Sequence, residues 1–200
     1  MLKHISSYEN VGFIFDCDGL LLDPWKDMKE CYEGFSGQIL SDKQWLDIRR
    51  DYDLHPEKYV EWAKVWAVFA LTQKFPPVQG MPELIAELAS RGAEMLVLSS
   101  IRPEAEQARR ENIETFYGAA FANVDCVGRK DKPLGIAVYA EWYDCTVVID
   151  NNIMQIKHAQ NITTYQIWYD DGSLSRRAHE LDNSVYRADS VDALRDFLLF

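Results

Sequence analysis

Phe13-Ile-Phe-Asp16-Cys-Asp18-Gly19-Leu-Leu-Leu-Asp23 is the stretch on which the fold turns. With Val11 and Gly12 ahead of it, the segment begins as an unbroken apolar run and stops at a carboxylate. Such a run is the pattern of a strand buried on both faces. Two carboxylates two residues apart, just past a buried strand, are costly unless they bind a cation or do proton work. Gly19 lets the chain turn sharply there. Three further runs end the same way: Met95-Leu-Val-Leu98 before Ser99, Thr146-Val-Val-Ile149 before Asp150, and Thr163-Thr-Tyr-Gln-Ile-Trp-Tyr169 before Asp170.

Helical patterns lie between these runs. Pro82 opens one with Leu84, Ile85 and Leu88 on a face, and Gly92 closes it. Pro103 opens the next. Ile153, Ile156 and Ala159 form a stripe after Asp150, and Ser190 caps a last helix carrying Val191, Leu194, Phe197 and Leu198. Strand and helix alternate, so the expected class is α/β, a three-layer Rossmann-like core with a parallel sheet between helices.

Residues 24–78 break the alternation. Trp25, Met28, Tyr32 and Phe35 recur at helical spacing, Ser41 with Gln44 forms a capping box before Trp45, Ile48 and Tyr52, and Tyr59, Trp62, Trp66 and Phe69 follow. Four of the six tryptophans fall here, so a small all-helical subdomain with an aromatic core is expected. The division is residues 1–23 and 79–200 for the α/β core and 24–78 for the helical insert. Within the insert, Arg49, Trp45 and Trp62 are the side chains that could face a ligand instead of the core.

The 200 residues carry 21 Lys and Arg against 32 Asp and Glu, a formal charge of −11. A polyanionic partner needs a basic face, so nucleic-acid binding is disfavoured, whereas a small phosphorylated ligand is not. The longest apolar stretch of the insert, Val65-Trp-Ala-Val-Phe-Ala-Leu71, is far short of the roughly 20 residues of a membrane span, and Met1–Ser7 has no apolar signal core. The cysteines at 17, 31, 126 and 145 form no CxxC pair and read as reduced thiols of a cytoplasmic protein.

Open parallel sheets bind ligands at the carboxyl edge of their strands. There the sequence collects Asp16, Asp18, Ser99 and Asp150, with Lys132 in a loop between helical patterns. Carboxylates, a hydroxyl and a lysine on one edge suit a phosphate and Mg²⁺.

These segments together resemble the haloacid dehalogenase superfamily. The run Asp16-Cys-Asp18-Gly19 with downstream Asp23 is similar to its first motif, DxDG. Gly80-Met-Pro-Glu-Leu-Ile85 through Leu98-Ser99-Ser100 resembles the second, Lys132-Pro133 the third, and Val147-Val-Ile-Asp150-Asn151 the fourth. Val185 to Leu194 is similar to the closing strand and helix of many members, and the insert lies where the family places a helical cap. The resemblance implies a Mg²⁺-dependent phosphatase acting on a small phosphorylated metabolite. Asp16 would be the nucleophile and Asp18 the general acid and base; Ser99, Ser100, Lys132 and Gly19 would hold the phosphate. Asp16, Asp18 (through its carbonyl), Asp150 and Asn151 would hold the metal. A second Asp at the position of Asp18 points to phosphate chemistry, because the dehalogenase branch lacks it.

The fourth motif departs from the pattern. Asn151 and Asn152 follow Asp150, and Met154 stands where a later acid could be, so an amide replaces a charge at the usual principal ligand. Two other functions share this residue set: phosphoryl transfer as in the superfamily's phosphomutases, and a non-catalytic phosphate- or protein-binding module with a degraded metal site. Other residues read more plainly. Lys130 is displaced by Lys132 on account of Pro133, and Arg102 reads as solvated. Cys17 points into the core, and the histidines at 4, 55, 158 and 179 lack ligand spacing. Arg49-Arg50, Arg109-Arg110 and Arg176-Arg177 read as solvated helix faces.

Overall fold

A strand whose side chains are apolar on both faces needs cover on both sides, and that requirement organises the chain. The computed structural model describes residues 8–71, 73–128, 130–170, 172, 179 and 181–199. Met1–Ser7, with His4, and the Arg176-Arg177 pair lie outside the described residues.

The sheet holds β1 (Val11–Phe15), β2 (Glu94–Ser100), β3 (Asn123–Val127), β4 (Cys145–Asp150), β5 (Tyr165–Tyr169) and β6 (Tyr186–Ala188). All pairs among them are parallel, in the order β3-β2-β1-β4-β5-β6. The chain builds outward from β1 to β3, returns, and builds outward again from β4 to β6. The reversal lies between β1 and β4, where such sheets open a crevice at their carboxyl ends.

Alternation divides the strand residues between two cores. Phe13, Phe15, Met95, Val97, Val147 and Ile149 face α4 (Met81–Ser90), α5 (Glu106–Tyr117) and α8 (Val191–Leu198). Ile14, Leu96, Leu98, Val148 and Trp168 face α6 (Lys132–Ala140) and α7 (Ile153–Ala159). Burying both faces of β1 is what its uninterrupted apolar run requires. Ser190 caps α8 by accepting from Ala193 N–H, as its position predicts. The strand β3 was not anticipated, because Asn-Val-Asp-Cys-Val is a half-buried edge strand without a continuous apolar run.

Between β1 and α4 the chain forms α1 (Trp25–Ser36), α2 (Asp42–Leu54), a short 3-10 turn and α3 (Val60–Ala70). Ser41 and Gln44 make the capping box of α2. Met28, Leu40, Trp45 and Trp62 are the buried centre of this helical unit, edged by Tyr32, Tyr52 and Tyr59. Trp62 meets Tyr32 and Tyr52 edge-on, with ring centroids 5.4 and 5.1 Å apart. Trp45 and Trp62 are thus core side chains and not ligand-facing ones. Among the described residues no helix is long and apolar enough to cross a membrane.

Candidate active site

Asp16 follows β1 directly, its N–H bonded to Ile149 O of β4 at 2.9 Å, so the first carboxylate stands at the reversal point of the sheet. Asp150 ends β4 beside it and is fully buried. Lys132 joins the two. Sequence reading put it in a loop; it is instead the first residue of α6, aimed at the sheet edge by the helix whose Pro133 sets its start. Its Nζ donates to Asp16 Oδ1 at 2.6 Å and lies 2.7 Å from Asp150 Oδ2. Both carboxylates hold the buried ammonium protonated, above the ordinary lysine range and against the effect of burial. Burial first, and then the neighbouring Asp16 charge, raise Asp150 well above the usual carboxylate range, with Lys132 acting in the opposite direction.

The chain turns tightly just after the two aspartates. Gly19 has φ +90°, and a Cβ there would lie 2.2 Å from Asn151 Nδ2, so only glycine fits. Its N–H donates to Leu22 O at 2.7 Å. That amide is therefore engaged within the turn. Cys17 is fully buried in the core and its thiol is pushed well above the ordinary range by desolvation, so it is not a nucleophile. Asp18 has its Oδ1 buried, and burial raises its carboxyl above the ordinary value while Arg109 opposes the shift.

Ser99 and Ser100 end β2 on the same edge. Both hydroxyl oxygens are buried with no hydrogen-bond partner among the described residues. Buried polar groups are rarely left so.

The donors at this edge fit a hard cation of the Mg²⁺ kind. Among the described residues no three His, Cys, Asp or Glu side chains gather, but Mg²⁺ needs only one or two carboxylates besides water and substrate oxygens. Asp16 and Asp150 supply two, and the repulsion that raises Asp150 is what a cation would relieve. Asp150, not Asn151, shares Lys132 with Asp16. The Asn151 amide lies against Gly19, and its backbone oxygen accepts from Trp168 Nε1 at 3.1 Å.

Sequence reading missed Arg109. Far from being on a solvated face, it is 1% exposed, and its Nε lies 3.0 Å from Asp18 Oδ1. The signal was present: Arg109, Ile113 and Tyr117 recur at i, i+4 and i+8, placing the arginine on the buried stripe of α5. Arg110 pairs with Glu106 at 2.8 Å, half-exposed. Arg50 reaches Gly172 O at 3.3 Å, a contact between the helical unit and the sheet edge. Arg102 is exposed, as expected, and so are Lys130 and the histidines at 55, 158 and 179.

Beside Asp18 a cleft of about 190 Å³ opens between the loop after β1 and the helical unit, lined by Pro24, Trp25, Met28, Arg49, Tyr52 and Trp66. The Arg49 guanidinium lies 3.5 Å from the Trp25 ring centroid. Of the three insert residues singled out from sequence, Arg49 alone lines this cleft.

No family model matches the sequence, and no curated protein matches it. Solved structures agree with the fold. A hydrolase of the haloacid dehalogenase superfamily from Ehrlichia chaffeensis superposes with a TM-score of 0.60 at 13% identity, over 94% of this chain and 95% of that one. A protein of Lactobacillus delbrueckii assigned as a phosphoglycolate phosphatase gives 0.67 at 18%, over 94% and 97%. An L-2-haloacid dehalogenase from Xanthobacter autotrophicus, with chloropropionic acid covalently bound, gives 0.55 at 14%, over 94% and 98%. The chain has the haloacid dehalogenase-like fold. Neighbours of this shape include both phosphatases and dehalogenases, so the chemistry must be argued from the residues.

Proposed function

We propose that this protein is a Mg²⁺-dependent phosphatase of a small phosphomonoester, with Asp16 as nucleophile, Asp18 as general acid and base, and the helical unit as a cap. The observation that carries this reading is the buried Lys132 shared by Asp16 and Asp150, on the sheet edge where β2 ends in two serine hydroxyls without partners among the described residues.

Lys132 occupies Oδ1 of Asp16, which leaves Oδ2 to attack phosphorus. The new bond joins Asp16 to phosphorus as the ester P–O bond breaks, and Asp18 gives its proton to the departing oxygen. Burial raises the Asp18 carboxyl above its ordinary value, in the direction that favours its protonated form, while Arg109 opposes the shift. In the second half, Asp18 takes a proton from water, the water oxygen bonds to phosphorus, and Asp16 is released with inorganic phosphate. Lys132, Ser99 and Ser100 face the charge gathered on the phosphoryl oxygens. Asp16, the Asp18 carbonyl, Asp150 and the Asn151 amide would hold Mg²⁺, which supplies charge neutralisation at the phosphate when bound. The cleft beside Asp18 lies on the leaving-group side, and the helical unit over it would exclude bulk water. Retention of Asp18 favours phosphate esters over the dehalogenation carried out by one of the structural neighbours.

The test is hydrolysis of p-nitrophenyl phosphate across a Mg²⁺ titration. Metal-dependent turnover is expected, with a high Mg²⁺ requirement because Asn151 brings no charge, and Asp16→Asn should reduce it to background. Turnover retained in Asp16→Asn removes Asp16 as the nucleophile.

A further inference from the structure

Arg109 is among the largest fully buried side chains, yet it lies on α5, a helix whose other charged residues are turned outward. Burying a guanidinium and a carboxylate together seldom stabilises a fold relative to apolar residues of the same size. Neither the nucleophilic displacement nor the metal set uses Arg109.

Its setting is unusually constrained. The guanidinium carbon lies 4.5 Å from the ring centroid of Phe75, on the segment that returns from the helical unit to the core. The Phe75 backbone is fixed in both directions by Asn112, less than one turn further along α5. Phe75 N–H donates to Asn112 Oδ1, and Asn112 Nδ2 donates to Phe75 O, each at 2.8 Å. The Phe75 ring also stacks on Trp66 of α3, with centroids 5.6 Å apart and planes at 14°. Arg109 approaches Asp18 Oδ1 to 3.0 Å, but the two atoms do not form an aligned hydrogen bond, and Arg109 Nη1 has no hydrogen-bond partner among the described residues. A bridge built for stability would close both bonds of the guanidinium fork. This one holds a carboxylate by charge, at a single approach to Oδ1.

We propose that Arg109 is a positioning residue for Asp18, with its guanidinium seated on Phe75 and that seat fixed by Asn112. The inference rests on the phosphatase reading and deepens it. Arg109 touches no substrate; it orients the Asp18 carboxyl towards the departing group. Loss of Arg109 therefore harms the reaction in proportion to the leaving group's need for a proton.

That dependence is measurable with two esters of similar size, p-nitrophenyl phosphate, whose phenolate departs readily, and benzyl phosphate, whose alkoxide does not. Arg109→Met is expected to lower kcat for benzyl phosphate by about 100-fold and for p-nitrophenyl phosphate by less than about 10-fold, with KM little changed. Arg109→Lys should restore most of the benzyl activity. In an Asp18→Asn background, Arg109→Met should add no further discrimination. Because removing a buried cation can unfold the chain, Phe75→Leu provides a second variant that keeps the charge and removes its seat; the same discrimination, smaller in size, is expected. Circular dichroism and melting curves identify the folded variants. Equal losses on both esters in folded Arg109 and Phe75 variants, or discrimination that persists without the Asp18 carboxyl, overturn the positioning role while the phosphatase reading stands. A wild-type protein that hydrolyses neither ester with Mg²⁺ overturns the phosphatase reading, and this inference with it.

Discussion

Asp16 and Asp18 stand two residues apart in one loop, and each is faced by a buried cation. The cations arrive from opposite layers of the molecule. Lys132 comes from α6 on one side of the sheet and joins Asp16 to Asp150. Arg109 comes from α5 on the other and meets Asp18 alone. The first arrangement gathers charge where a phosphoryl group and a cation would sit. The second keeps one carboxylate apart, beside an aromatic cleft. One loop thus carries two carboxylates with different surroundings, which is how two groups of one type come to perform different chemistry.

The largest expected effect lies on the Lys132 side. Lys132→Met leaves two buried carboxylates without their shared cation. Turnover should fall about 1,000-fold or more, and unfolding free energy by about 3 kcal/mol or more, read by denaturant titration. Unlike the loss in Arg109→Met, the loss of activity should be the same for p-nitrophenyl and benzyl phosphate. Different losses on the two esters would blur the division between the two sides. Ser99→Ala should cost less, about 10-fold to 100-fold in kcat/KM on both esters, with a melting temperature near that of the wild type. A normal rate in that variant would transfer the phosphoryl contact to Ser100.

The smallest effect concerns pH and stability without metal. Asp150 is raised above its unfolded value in the folded chain, so it favours folding most when protonated in both states. That contribution is full below the ordinary carboxylate range and is lost as the pH rises towards neutrality. Metal-free protein should become less stable over this window by on the order of 1 kcal/mol or more. Asp150→Asn should flatten the decline, and Mg²⁺ should reduce it by favouring the ionised carboxylate. Denaturant midpoints across the pH range, with and without Mg²⁺, check this. A decline unchanged in Asp150→Asn would assign it to another group.

The two sides also differ in how much of them could be read from sequence. Asp16, Asp18, Ser99, Lys132 and Asp150 lie at ends of apolar runs or beside a proline, where short-range patterns place them at a sheet edge. The parallel sheet followed from the same runs, apart from β3, whose mixed composition conceals an edge strand. Arg109 looked solvated because charged residues surround it on α5; only the stripe shared with Ile113 and Tyr117 shows its buried face. The fourth motif was legible as a departure, but whether Asp150 or Asn151 reaches Lys132 depends on side-chain packing against Gly19. In the helical unit the aromatic periodicity gave the core. It could not separate Trp45 and Trp62, which are buried in that core, from Arg49, which lines the cleft.

The most direct test of the account is rapid-quench mass spectrometry of the protein mixed with p-nitrophenyl phosphate and Mg²⁺. A transient phosphoryl group is expected on the peptide containing Asp16, absent in Asp16→Asn and longer-lived when Asp18 is replaced by Asn. Turnover with no phosphorylated protein, or with the phosphoryl group on another residue, would contradict it.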